Sequence, residues 1–98
     1  MKISWFDASE AQEFGKTLAL FFIERIPLQT TLKKEKLYQK QQEVIAKVFT
    51  QIAKFKQDHS LNIYKKAKLG NAFKWELKNA GYNADFIDQL THEIMIKL

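Results

Sequence analysis

The chain contains 98 residues, 46% of them hydrophobic and none of them cysteine, which excludes a disordered chain, disulfides and cysteine-ligated metals. Its length suits one domain, residues 1–98, with one core. Sixteen basic and eleven acidic residues give a net charge of +5, and the longest apolar run, residues 18–23, is too short to cross a bilayer.

The residues that follow Met1 and Lys2 do not form the apolar segment of a signal peptide, so we expect a cytoplasmic protein without membrane association. One proline and three glycines leave few helix breakers. Hydrophobic spacing predicts an all-α fold, a compact bundle of four helices at about 8–26, 31–57, 62–79 and 84–97. The spacing does not distinguish a plain up-down bundle from two crossed hairpins.

The first predicted helix begins after Asp7, a candidate N-cap, with Glu10 three residues later as in a capping box. Apolar residues then follow the helical period, and Pro27 ends the pattern. The second predicted helix has the stripe Tyr38, Ile45, Val48, Ile52 and Phe55. At 27 residues it would span about 40 Å, longer than the roughly 33 Å diameter of a compact chain of this size. We therefore expect it to project, bend or begin late.

The third predicted helix has an apolar face of Leu69, Phe73 and Leu77, and Gly81 is expected to end it as a left-handed C-cap. Asn83 is expected to cap the fourth helix. The apolar stripe of that helix is Ile87, Leu90, Ile94 and Leu98. Gly15 and Gly70 lie inside helices and are expected at close helix crossings, and a direct crossing of the two is one arrangement.

Positive charge is concentrated in the middle of the chain. Residues 31–80 carry twelve basic and four acidic groups, whereas the two ends are mildly acidic. Such a region would attract a polyanion or an acidic partner. Fifteen of the sixteen basic residues are lysine, which does not favour bidentate recognition of phosphate or guanine.

Trp75 is the residue on which a binding function depends. It lies about 200° around the third helix from Phe73 and Leu77, in a column with Tyr64, Lys68, Asn71 and Lys78. Ammonium, amide and aromatic groups in one column are typical of a binding surface. We expect this surface to extend to two further residues, Lys65 and Tyr82. The alternative is that the helix is sandwiched and the indole belongs to the core.

Catalysis has little support in the sequence, and we predict a protein that is not an enzyme. Asp85, Asp88 and His92 share one helix face, but a metal site would need further ligands from another helix, so we predict no metal and no cofactor. His59 is expected to be a capping or surface residue. A helix-turn-helix at residues 77–90 is disfavoured because its recognition helix would be acidic.

Two functions follow from these patterns. The first is a small non-catalytic interaction module that docks an acidic or amphipathic protein partner, or a second copy of itself, through the lysine and aromatic face of the third helix. The alternative is non-specific binding of RNA or single-stranded DNA by the lysine-rich region 33–78, with bases stacked on Trp75 and Tyr64.

Overall fold

The computed structural model describes residues 7–28 and 32–98. These residues form four helices, α1 (Ser9–Arg25), α2 (Lys34–Asp58), α3 (Ile63–Asn79) and α4 (Ala84–Lys97). The predicted all-α bundle of four helices is therefore confirmed. Position 31, where the second helix was predicted to begin, lies outside the described residues, and residues 32 and 33 are not helical.

The helices form two hairpins that lie side by side and point in the same direction. His59, after α2, contacts Glu10 in α1, and Lys74 in α3 contacts Asp88 in α4, so both hairpins are antiparallel. Helix α1 packs most closely on α3, and α2 packs on α4. As a result α2 and α3 occupy diagonally opposite corners of the bundle.

One core joins the four helices. The stripe predicted for α4 is buried along its whole length, as is the apolar face predicted for α3. In α2, Ile45, Val48 and Ile52 are buried, but Tyr38 is 62% exposed and residues 34–43 contribute no buried residue. The first turns of α2 thus have few tertiary contacts, and the molecule is elongated, with extents of 54 × 24 × 19 Å.

The helix ends follow the predicted caps at two of three positions. The Asn83 side chain accepts from the amides of Asp85 and Phe86, and Gly81 adopts a φ of +94° after α3. Asn62, at the predicted start of the third helix, accepts from the amide of Lys65. The prediction for Asp7 was wrong, because Ala8 is the N-cap residue of α1 and Asp7 instead accepts from the amide and hydroxyl of Ser9. Glu10 contacts His59 and closes no capping box.

Gly15 and Gly70 lie at two separate helix crossings, and not at a direct crossing of one glycine over the other. Gly15 lies against the backbone carbonyl of Leu69, with Ala72 beside it, whereas Gly70 faces the side chain of Met95 in α4. Each glycine therefore serves a different helix pair. The closeness of α1 to α3 depends on Gly15, and the position of Met95 depends on Gly70.

Candidate interaction face on helix α3

Trp75 lies on the side of α3 that faces away from the core. Its side chain is 58% exposed, although Phe73 and Leu77, two residues to either side, are fully buried. This arrangement follows from the helical period, because residues two apart point in nearly opposite directions. The alternative in which the indole fills the interior is therefore excluded.

The other four residues of the predicted column lie at helical spacing from Trp75, but the Tyr64 side chain is half-buried and packs against the core. We call the set the α3 outer face: Tyr64, Lys68, Asn71, Trp75 and Lys78. The Nζ of Lys78 lies 5.1 Å from the centroid of the Trp75 indole, and the Nζ of Lys68 lies 5.4 Å from the centroid of the Tyr64 ring. Both distances are within the range of cation–π attraction. The two ammonium groups therefore lie beside aromatic surface on α3.

Lys65 lies off the α3 outer face. It borders a groove formed by the start of α1 and the end of α2, together with Glu10, Asp58 and His59. Its backbone amide is used by the Asn62 cap. The prediction that Lys65 extends the face is not supported by this position, because the side chain adjoins a different and partly acidic surface.

Tyr82 is mainly a packing residue. Its hydroxyl donates to the backbone carbonyl of Ile26, and its ring contacts those of Phe22 and Phe86. Burial raises the pKa of the Tyr82 phenol above its ordinary value, because a phenolate there would lose solvation. The residue ties the end of α1 to the α3–α4 connection, and only part of it reaches the surface.

Next to the α3 outer face is a groove that the sequence did not reveal. It has a volume of about 350 Å³, and we call it the α3–α4 groove; its lining residues are Lys74, Lys78, Tyr82, Ala84, Ile87 and Asp88. The Nζ of Lys74 lies 3.2 Å from the carboxylate of Asp88. Lys78 borders both the groove and the Trp75 ring, so the two features form one continuous surface.

The lysines of the middle region are divided between two sides of the molecule. Helix α2 carries six lysines and three acidic residues, and α3 carries five lysines and one acidic residue. Because these helices are diagonal in the bundle, their outward faces point in opposite directions. The positive region of the sequence does not form one continuous basic groove.

Two of the polar residues considered for chemistry, Asp88 and His59, have structural partners. Asp88, one of three residues considered as metal ligands, pairs with Lys74, and no group of three acidic or histidine side chains in residues 7–28 and 32–98 is placed to hold a metal. His59 ends α2, as expected of a capping residue. Its ring stacks on Phe55 at 4.0 Å, and its nitrogens contact the Phe55 carbonyl and Glu10.

Comparisons with known proteins do not identify a function for this chain. No family model matches the chain, and no significant match was found among curated proteins or solved structures. Within the described ranges, no helix has both the length and the apolar character that a membrane span requires.

Proposed function

We propose that this protein is a small, non-catalytic cytoplasmic interaction module that docks an acidic or amphipathic protein partner through the α3 outer face. The observation that carries the proposal is the exposure of Trp75 opposite the core. A large aromatic side chain of this kind is a typical anchor of protein interfaces, where burial of its ring supplies much of the binding energy.

The charges of the face indicate the character of the partner. Lys68 and Lys78 flank the aromatic rings, and α3 as a whole has five lysines against one glutamate. Positive side chains around an aromatic anchor accelerate encounter with an acidic partner and orient it, while the buried ring determines how long the complex lasts. A partner segment with both carboxylates and apolar side chains satisfies both features.

Trp75 itself provides the experiment. In a Trp5→Phe background, its fluorescence reports binding of a synthetic acidic, amphipathic helical peptide. We expect a change on addition of this peptide and none with a peptide in which the acidic residues are replaced by lysine. Trp75→Ala should reduce binding at least about tenfold, measured by calorimetry, a loss of roughly 1.4 kcal/mol.

The matched control is Tyr38→Ala, since Tyr38 is also an exposed aromatic residue but lies on α2. This variant should bind the acidic peptide like the original chain. Equal loss of binding in both variants, or no binding to any acidic peptide, would contradict the proposal.

Binding of RNA or single-stranded DNA is the second candidate function, and the pairing of the Lys78 ammonium group with the exposed Trp75 ring favours it. Base stacking on Trp75 and phosphate contacts from Lys68 and Lys78 would use the same face. The division of lysines between α2 and α3 limits such a site to α3. The affinity for a mixed oligonucleotide should then fall linearly with salt on a log–log scale, and absence of binding at low salt would reject this candidate.

A further inference from the structure

The α3–α4 groove is large enough to accept an apolar side chain of a protein partner. Its volume of about 350 Å³ lies at the lower end of the range for small-molecule sites, which is about 300–1,000 Å³. Ala84, Ile87 and Tyr82 give it a mainly apolar lining. An apolar side chain that enters the groove would therefore leave contact with water without losing hydrogen bonds.

The two lysines at the rim of the groove differ in whether they form an ion pair. Lys74 is already paired with Asp88 at 3.2 Å, whereas Lys78 forms no ion pair with any other residue that the structure describes. Lys78 therefore stands between the indole and the groove as the ammonium group available to a ligand. A carboxylate near Lys78 would be attracted there, because the Lys74–Asp88 pair is neutral as a whole and Lys78 leaves the rim of the groove with a net positive charge.

We infer that the occupant of this surface is an acidic amphipathic helix of another protein. One of its apolar side chains enters the α3–α4 groove, and a carboxylate about one turn away contacts Lys78. A second apolar side chain of the same helix covers Trp75, in the manner of helix-in-groove recognition. This inference rests on the proposed function and adds to it where the partner docks and what the docking segment must contain.

The experiment uses the full chain and a synthetic peptide of about 18 residues, long enough to form a helix when bound. The peptide has leucines on one face and glutamates beside them. Ala84 is exposed and borders the groove, so Ala84→Leu narrows the groove with a bulkier side chain without altering Trp75. We expect this variant to bind the peptide at least about tenfold more weakly, while its helical circular dichroism is unchanged.

A charge exchange keeps the inference testable even if Ala84→Leu disturbs the fold. Lys78→Glu should weaken binding, and a peptide in which one glutamate is replaced by lysine should restore it. Lys54→Glu, the same charge change on the exposed surface of α2, should have little effect. Rescue that is specific to one peptide position would locate the carboxylate that Lys78 contacts.

The outcomes separate the inference from the proposed function. If Trp75→Ala abolishes peptide binding but Ala84→Leu does not, and no peptide with a single glutamate-to-lysine exchange rescues Lys78→Glu, the groove is not the docking site and the proposed function remains. If neither face nor groove variants affect binding, both fail. Dimers that form with rising protein concentration and that Ala84→Leu abolishes would identify a second copy of the chain as the occupant. Displacement of the peptide by an oligonucleotide would identify a nucleic acid as the occupant. Either result would overturn the inference.

Discussion

Gly15 in α1 lies directly against the backbone carbonyl oxygen of Leu69 in α3. A methyl group at position 15 would overlap that oxygen and would come within 3.2 Å of the Ala72 side chain. Ala11 and Ala19 are buried one turn to either side of Gly15. Small residues along this stripe allow the two helix backbones to approach closely, so α1 and α3 form the tightest pair in the bundle.

Gly15→Ala should therefore destabilise the protein. Alanine gains about 1 kcal/mol over glycine in helix propensity, but overpacking against a backbone atom costs typically 1–3 kcal/mol or more. Because a carbonyl cannot rotate away as a side chain can, we expect a net loss of about 2 kcal/mol in the free energy of unfolding. Urea denaturation of the variant and the original chain measures this difference.

Gly70→Ala is the matched control, since it makes the same change in a neighbouring helix. A methyl group at position 70 would meet the Sδ of Met95 at 2.7 Å, in a side chain with several rotatable bonds. Met95 can shift, so the gain in helix propensity should roughly offset the contact and leave stability within about 0.5 kcal/mol of the original. Equal losses at positions 15 and 70 would show that the Leu69 carbonyl has no special role.

Trp75→Ala and Phe73→Ala should differ widely in their effect on stability. Phe73 is fully buried, and removal of such a ring typically costs about 3–5 kcal/mol. Trp75 is exposed, and a surface substitution usually changes stability by no more than about 0.5 kcal/mol. Thermal and urea unfolding of the two variants test this contrast, and a large loss in Trp75→Ala would mean that the indole is part of the core.

Periodicity was sufficient to predict the elements that depend on local sequence. The helical stripes of α3 and α4 and the caps at Gly81 and Asn83 follow from residues close together in the chain. The outward direction of Trp75 follows in the same way, from its angle to Phe73 and Leu77. The prediction of Asp7 as the N-cap failed because an acidic residue near a helix start can accept from the first helical amide without being the cap residue.

Contacts between distant parts of the chain could not be predicted. Nothing in the spacing of Gly15 indicates that it meets the Leu69 carbonyl more than 50 residues away. The α3–α4 groove depends on how the two helices align, which places Lys74 opposite Asp88. The division of the lysines between two sides of the bundle likewise depends on the diagonal positions of α2 and α3.

Tyr82→Phe should lower stability in a way that depends on pH. The variant lacks the hydroxyl that donates to the Ile26 carbonyl, and it should lose about 1 kcal/mol near pH 7. Burial raises the pKa of Tyr82 in the folded protein, whereas the unfolded chain has the ordinary value near 10. The unfolded state therefore releases this proton first. The tyrosine's contribution is complete below about pH 10 and is lost as the pH rises through the folded-state pKa.

Urea denaturation of both proteins at pH 8 and above about pH 10 tests this dependence. The difference in the free energy of unfolding between the original chain and Tyr82→Phe should shrink at the higher pH. All other ionisable groups are the same in both proteins, so their contributions cancel in the comparison. A constant difference would indicate that the phenol keeps an ordinary pKa in the folded protein.

Gly81 should tolerate substitution poorly because of its backbone conformation. Its φ of +94° closes α3, with the amide of Gly81 donating to the Lys78 carbonyl and that of Tyr82 donating to the Leu77 carbonyl. An L-residue in such a conformation costs roughly 1–2 kcal/mol, and a Cβ there would also lie 3.2 Å from Leu28. Gly81→Ala should lower the free energy of unfolding by about that amount.

Gly81→Asn should lose less stability, since asparagine accepts left-handed backbone more readily, although it presents the same Cβ to Leu28. If the asparagine variant were as unstable as the alanine variant, crowding by Leu28 and not backbone strain would explain the loss.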